Sequence, residues 1–149
     1  MSRSTTTIEA PPHVVYAVLA DPPSYEIWVV GNKSIRGYDK SWPEPGSAFH
    51  HKVGFGLLAT KDKSVALEAD PPRRLVMEVR ALPFIRATVS FTLRAEGSGT
   101  SVTMEERPRG DPWETVWNPL FDTAVGLRNA ETLRRLKRLA EVRAGAVHH

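Results

Sequence analysis

Ile85-Arg86-Ala87-Thr88-Val89-Ser90-Phe91-Thr92-Leu93-Arg94 alternates apolar and polar side chains without a break. Successive strand residues point to opposite faces, so this run predicts a strand with Ile85, Ala87, Val89, Phe91 and Leu93 on one side and Arg86, Thr88, Ser90, Thr92 and Arg94 on the other. Three neighbouring runs repeat the pattern. Leu75, Met77, Val79 and Ala81 oppose Glu78 and Arg80; Val102, Met104 and Glu106 oppose Thr103 and Glu105; Phe49, His51, Val53 and Phe55 oppose His50 and Lys52. The result is a sheet with one apolar face and one wet face. His51 and Glu106 are polar residues on the apolar side.

Working outward, period two holds from Asn32 to Pro108 and is interrupted only by turn sequences: Trp42-Pro43-Glu44-Pro45-Gly46, Gly54 to Gly56, Asp70-Pro71-Pro72, Leu82-Pro83 and Gly97-Ser98-Gly99. Six strand-like runs with short connections predict an antiparallel meander. The second and fourth strands of the chain carry weaker patterns and receive no face. Several runs reach about ten residues against a usual ~5–6, so the sheet is expected to curl. Ahead of the meander, Ser4 to Glu9 reads as a first strand. Pro11-Pro12 opens a helix with the stripe Val14, Val15, Val18 and Leu19, which stops near Asp21-Pro22-Pro23. A short second helix covers Tyr25 to Trp28 and ends by Gly31.

After the meander, Asp111-Pro112-Trp113-Glu114 has the form of a capped helical turn. Asn118-Pro119 restarts or kinks the helix, which runs on to about Arg143. Some 24 residues at 1.5 Å give about 36 Å, close to the ~33 Å of a ten-residue strand, so this helix can lie across the whole sheet. One stripe of it carries Asn118, Asp122, Val125, Gly126, Asn129, Leu133, Leu136 and Ala140. The C-terminal half of that stripe is apolar and the N-terminal half is not. Either the N-terminal half leaves the sheet for solvent, or it roofs a space that side chains do not fill. Gly126 inside a helix costs about 1 kcal/mol relative to Ala, which suits a close approach by another group.

A curled sheet with an apolar concave face, under a helix only half apolar, implies unfilled volume at one end. Apolar pockets with a few convergent polar groups are the usual form of small-molecule sites. Phe49, Val53, Phe55, Met77, Phe91, Met104, Trp117, Asp122, Val125, Gly126 and Asn129 are the expected lining. Trp113 and Trp117 stand at its mouth or pack the helix start.

Composition narrows the classes. The 149 residues suit a single domain spanning 1–149, and with no cysteine there is no disulfide, thiolate metal site or cysteine nucleophile. No apolar run approaches the ~20 residues of a membrane span, and Met1-Ser2-Arg3-Ser4-Thr5 lacks a secretory core, so a cytoplasmic protein is expected. The net charge of +3 is concentrated from Gly126 onward, where six basic and two acidic residues give +4. Cations suit a helix C-terminus, and no strand interleaves basic and exposed aromatic residues, so no nucleic-acid partner is expected. The chain has no H-E-x-x-H, facial triad, EF-hand, nucleophile elbow or phosphate loop, so neither metal nor cofactor is expected. His148-His149, native or a tag remnant, are left out of the chemistry.

The order strand, two helices, six-strand meander and long helix resembles the START-like helix-grip fold of the polyketide cyclase/dehydrase and lipid-transport (SRPBCC) family. The residues carrying the resemblance are Ile8-Glu9-Ala10-Pro11 with Val14 and Val18, Ala20-Asp21-Pro22, Trp42-Pro43-Glu44-Pro45-Gly46, Asp70-Pro71-Pro72-Arg73-Arg74-Leu75, and Arg128-Asn129 with Leu133 and Leu136. The expected fold is α+β: a curled seven-stranded antiparallel sheet around a long C-terminal helix, with two short helices. The resemblance implies a deep cavity between sheet and helix and places the strands of His51 and Glu106 on opposite arms of the grip.

Three functions stay open, since fold alone does not choose among them. The first is binding, or transport, of a hydrophobic small molecule such as a lipid, isoprenoid or polyketide-like aromatic. His51, Glu106, Asp122 and Asn129 would orient its oxygens, and Gly126→Leu would block uptake. The second is a polyketide cyclase or dehydratase in which His51 and Glu106 act as catalytic acid and base. Against that role, Glu106 is expected to pair with a basic neighbour or a polar helix group, because buried charges are normally paired. The third is a protein-interaction module; the oligomeric state is not legible.

Overall fold

The computed structural model describes residues 2–30, 32–55, 58–81, 85–109 and 119–147. Strand β1 (Ser2–Ile8) leads into helix α1 (Pro12–Leu19), a 3-10 turn (Pro22–Ser24) and helix α2 (Tyr25–Trp28). Six strands follow: β2 (Asn32–Tyr38), β3 (Ala48–Phe55), β4 (Leu58–Asp70), β5 (Arg74–Ala81), β6 (Ile85–Glu96) and β7 (Gly99–Arg109). Helix α3 (Pro119–Val147) closes the chain and runs four residues past the expected end at Arg143. The strands form one antiparallel sheet in the order β1-β7-β6-β5-β4-β3-β2, so a consecutive meander is completed by the first strand adding to its last edge.

The strand deciding the fold behaves as its alternation requires. Ala87, Val89, Phe91 and Leu93 are buried, whereas Arg86, Thr92 and Arg94 are exposed. The two strands without a legible face are the two with register shifts: between Asn32 and Ser34 and between Ile35 and Gly37 in β2, and between Ala66 and Glu68 in β4. Each bulge inserts a residue and reverses the alternation beyond it. Strand β1 starts at Ser2 instead of Ser4, because the inner side of its first turn is hydroxylic. Ser2, 5% exposed, supplies no apolar signal.

Helix α3 packs along β1 and against α1 and α2, so the two ends of the chain grip each other. Its buried line is Val125, Asn129, Thr132, Leu133, Leu136, Ala140 and Ala144. One end of the interior is sealed by aromatic rings. Tyr25 lies 4.6 Å from Trp28 and 4.7 Å from Phe49, Trp42 lies 4.6 Å from Phe49, and Trp28 lies 5.8 Å from Phe91, all tilted or edge-on. Their polar tips finish the end of α1: the Tyr25 hydroxyl and the Trp42 indole N–H both donate to the Leu19 carbonyl, at 2.7 and 3.0 Å. The opposite edge is closed by backbone proximity. A β-carbon on Gly99 would lie 2.5 Å from the Ile8 carbonyl oxygen, so β1 reaches β7 closely only because position 99 has no side chain.

Candidate functional site

Antiparallel register sets out the concave face as rows running across the strands. Ser4, Met104, Phe91 and Leu75 form one row; Ser2, Glu106, Val89, Met77 and Ala66 form the next; Pro108, Ala87, Val79, Ser64 and Phe49 form the third. In the first row Leu75, Phe91 and Met104 are 0–6% exposed, packed under α1 and α2. In the third, Val79 and Pro108 are only half-buried, although Val79 belongs to the apolar face. On this face the described apolar side chains that reach partial exposure are therefore Val79 of β5 and Pro108 of β7, while Phe49 and Ser64 at the other end of the same row are buried.

Glu106 sits between these regions. It is 6% exposed and lies opposite Val89 on β6 and Ser2 on β1. Helix α3 supplies its partners. Arg128 Nη2 donates to Glu106 Oε1 at 2.6 Å, Asn129 Nδ2 donates to the same oxygen at 3.3 Å, and Arg128 Nη2 also donates to Asn129 Oδ1 at 3.3 Å. The carboxylate, guanidinium and amide thus form a closed triangle. Asn129 is 1% exposed and the Arg128 side chain 39%, so the guanidinium enters from the rim while the amide lies inside. A carboxylate on an apolar face survives because a charge-assisted bond and an amide compensate its lost hydration. Paired in this way the carboxylate is suited to accepting a hydrogen bond.

The other expected site residues fall into three groups. Phe49, Met77, Phe91 and Met104 are 1–6% exposed and belong to the packed core, Phe49 and Phe91 within the aromatic cluster. Val125 is 7% exposed on α3. At Gly126 the approaching group is part of the protein: a β-carbon there would lie 3.4 Å from Ser2 Oγ. That is the edge of ordinary van der Waals contact with a single side-chain atom, so packing against β1 does not by itself demand the glycine. His51, Val53 and Phe55 are described in backbone only, on β3, as is Asp122 on α3; Trp113, Trp117 and Asn118 lie outside the described residues.

Two residues of interest escaped the sequence reading. Arg128 lies off the buried stripe of α3 and reaches Glu106 only through its length; the signals for it were the expectation of a basic partner for a buried carboxylate and its place beside Asn129 among the residues carrying the family resemblance. Asp62 is the backbone partner of His51 on β4, a strand whose face the bulge concealed. Among the described residues no group of three or more His, Cys, Asp or Glu is placed to hold a metal ion, and no helix is long and apolar enough to cross a membrane.

Comparison with known proteins agrees with this architecture. The family model described as polyketide cyclase / dehydrase and lipid transport matches residues 2–141. No curated protein matches the chain. Among solved structures, protein CV1439 from Chromobacterium violaceum is similar at 17% identity and a TM-score of 0.72, over 95% of this chain and 99% of that one. The di-domain ARO/CYC StfQ from the steffimycin biosynthetic pathway is similar at 13% identity and a TM-score of 0.74, over 96% of this chain and 51% of that one. Ara h 8.0201 is similar at 11% identity and a TM-score of 0.70, over 93% and 95%. At these identities the likeness is one of fold.

Proposed function

This chain belongs to the polyketide cyclase/dehydrase and lipid-transport family, and we propose that within it the protein binds a hydrophobic small molecule between the concave sheet face and α3. The observation carrying this reading is the Glu106–Arg128–Asn129 triangle, set on an apolar face beside the half-buried Val79 and Pro108. A purely structural interior gains nothing from a carboxylate there: apolar residues of similar volume in place of a buried ion pair are often neutral or stabilising. A ligand-binding interior uses such a group to fix the orientation of an otherwise greasy guest. Burial of the apolar body supplies most of the affinity, at ~25 cal/mol per Å² before ordering costs. The candidate contacts are Val79, Ala87 and Pro108 for the body and Glu106 and Asn129 for an oxygen; His51, Val53, Phe55, Trp117 and Asp122 remain candidates from the sequence.

Native mass spectrometry of protein purified from its own host tests this directly. The expected result is a co-purifying apolar molecule in the wild type that is lost in Val79→Trp, which fills the half-buried row, with an unchanged circular dichroism spectrum. No bound molecule in the wild type, or equal occupancy in the variant, would overturn the reading.

A further inference from the structure

Resting on that binding reading, we infer that the triangle selects an uncharged, hydroxyl-bearing head group (an alcohol, phenol or enol) and rejects ligands headed by carboxylate or phosphate. Among the described residues the triangle carries one carboxylate and one guanidinium, and they are committed to each other at 2.6 Å. An entering anion has two options. It can displace Glu106 from Arg128, which strands a carboxylate that is 6% exposed on an apolar face. Otherwise it must lie beside that carboxylate as a like charge. Both routes are unfavourable beside a buried carboxylate, and the second acts as a built-in repulsion against acids. A hydroxyl meets neither obstacle. Among the described residues both hydrogen bonds from α3 fall on Glu106 Oε1, and a carboxylate has about four lone-pair sites, so the group retains acceptor capacity for a ligand O–H. Asn129, 1% exposed and bonded on both its amide atoms, holds the carboxylate in one rotamer and so directs that acceptor. The reaction class supplying such a ligand is one that leaves a neutral cyclised or reduced product, not a free acid.

The test is titration calorimetry with two probes of the same apolar body, 2-naphthol and 2-naphthoate, at neutral pH. The wild type is expected to bind 2-naphthol at least about tenfold more tightly, a difference of about 1.4 kcal/mol. Glu106→Gln removes the repelling charge and releases Arg128, and is expected to narrow the ratio by about tenfold. An unchanged ratio in that variant would assign the preference to general apolarity and overturn the inference. Equal or tighter wild-type binding of 2-naphthoate would do the same, making Arg128 an anion receptor while the binding reading survives. Failure of both probes to bind would instead remove the binding reading and the inference with it. As a measurement independent of any variant, the Glu106 carboxyl carbon resonance should shift when 2-naphthol is added; a stationary resonance with bound naphthol would overturn the inference.

Discussion

At the scale of single residues, Glu106 shows what alternation can and cannot deliver. Period two places it on the apolar face, and the general cost of a buried charge demands a partner, but its identity depends on side-chain reach. Asn129 was legible because it lies on the buried stripe; Arg128, one position further round the helix, was not. Removing the carboxylate leaves the buried Asn129 amide and the half-buried guanidinium without their acceptor. Glu106→Ala is therefore expected to cost about 1–3 kcal/mol, and Glu106→Gln, which keeps an acceptor, less, as measured by urea unfolding. Tyr16 offers a change of opposite sign. Its hydroxyl is buried with no hydrogen-bond partner among the described residues, and burial followed by the charge of Asp70 pushes its ionisation upward. Tyr16→Phe is expected to leave stability unchanged or raise it by up to about 1 kcal/mol in the same assay. A loss of that size would reveal a partner for the hydroxyl.

At the scale of elements, legibility followed regularity. Strands β6 and β7 alternate cleanly along the stretches that pack, β5 does so apart from the buried Val76, and their faces were readable; β2 and β4 contain bulges, and their faces were not. The β1–β7 seam depends on a missing side chain. Gly99→Ala forces a methyl against the Ile8 carbonyl, so a loss of about 1–3 kcal/mol is expected. Hydrogen exchange should quicken first along residues 2–8 and 99–106. The tether between the β1–α1 connection and α3 is electrostatic instead. Burial pushes the Glu141 carboxyl up, yet the Lys137 hydrogen bond, the Glu9 backbone N–H at 2.8 Å and the Lys137 charge outweigh it and hold the group below its ordinary 4.5. A carboxyl lowered in the folded state stabilises fully above its unfolded value and loses that contribution as pH falls through the folded one. The stability advantage of wild type over Glu141→Gln should accordingly shrink below about pH 4.5 and be constant at neutral pH. An advantage that grew on acidification would show that the tether is not held by the ionised carboxylate.

At the scale of the whole molecule, the fold was legible because helix length, strand count and turn spacing all favour the same grip, and each is a local property of the chain. Whether side chains fill the interior is not legible in the same way, because a hollow is a property of what fails to meet across the interior. Phe49, Phe91, Met77 and Met104 are buried on the concave face, whereas Val79 and Pro108 on the same face are only half-buried. One contiguous core joins α1, the sheet and α3. Urea unfolding followed by tryptophan fluorescence and by far-ultraviolet circular dichroism is therefore expected to give coincident transitions; separated midpoints would indicate a second cooperative unit.

The pairing of β1 with β7 also governs the chain's birth. Thr100 Oγ1 donates to the Ala10 carbonyl at a separation of 90 positions, and every strand partner of β1 lies at least as late in translation. At ~5–20 residues per second β1 waits roughly 5–20 s for β7 to be made. Four of its residues are serine or threonine between Ser4 and Thr7, a hydrophilic stretch that tolerates the delay without adhering to other nascent chains.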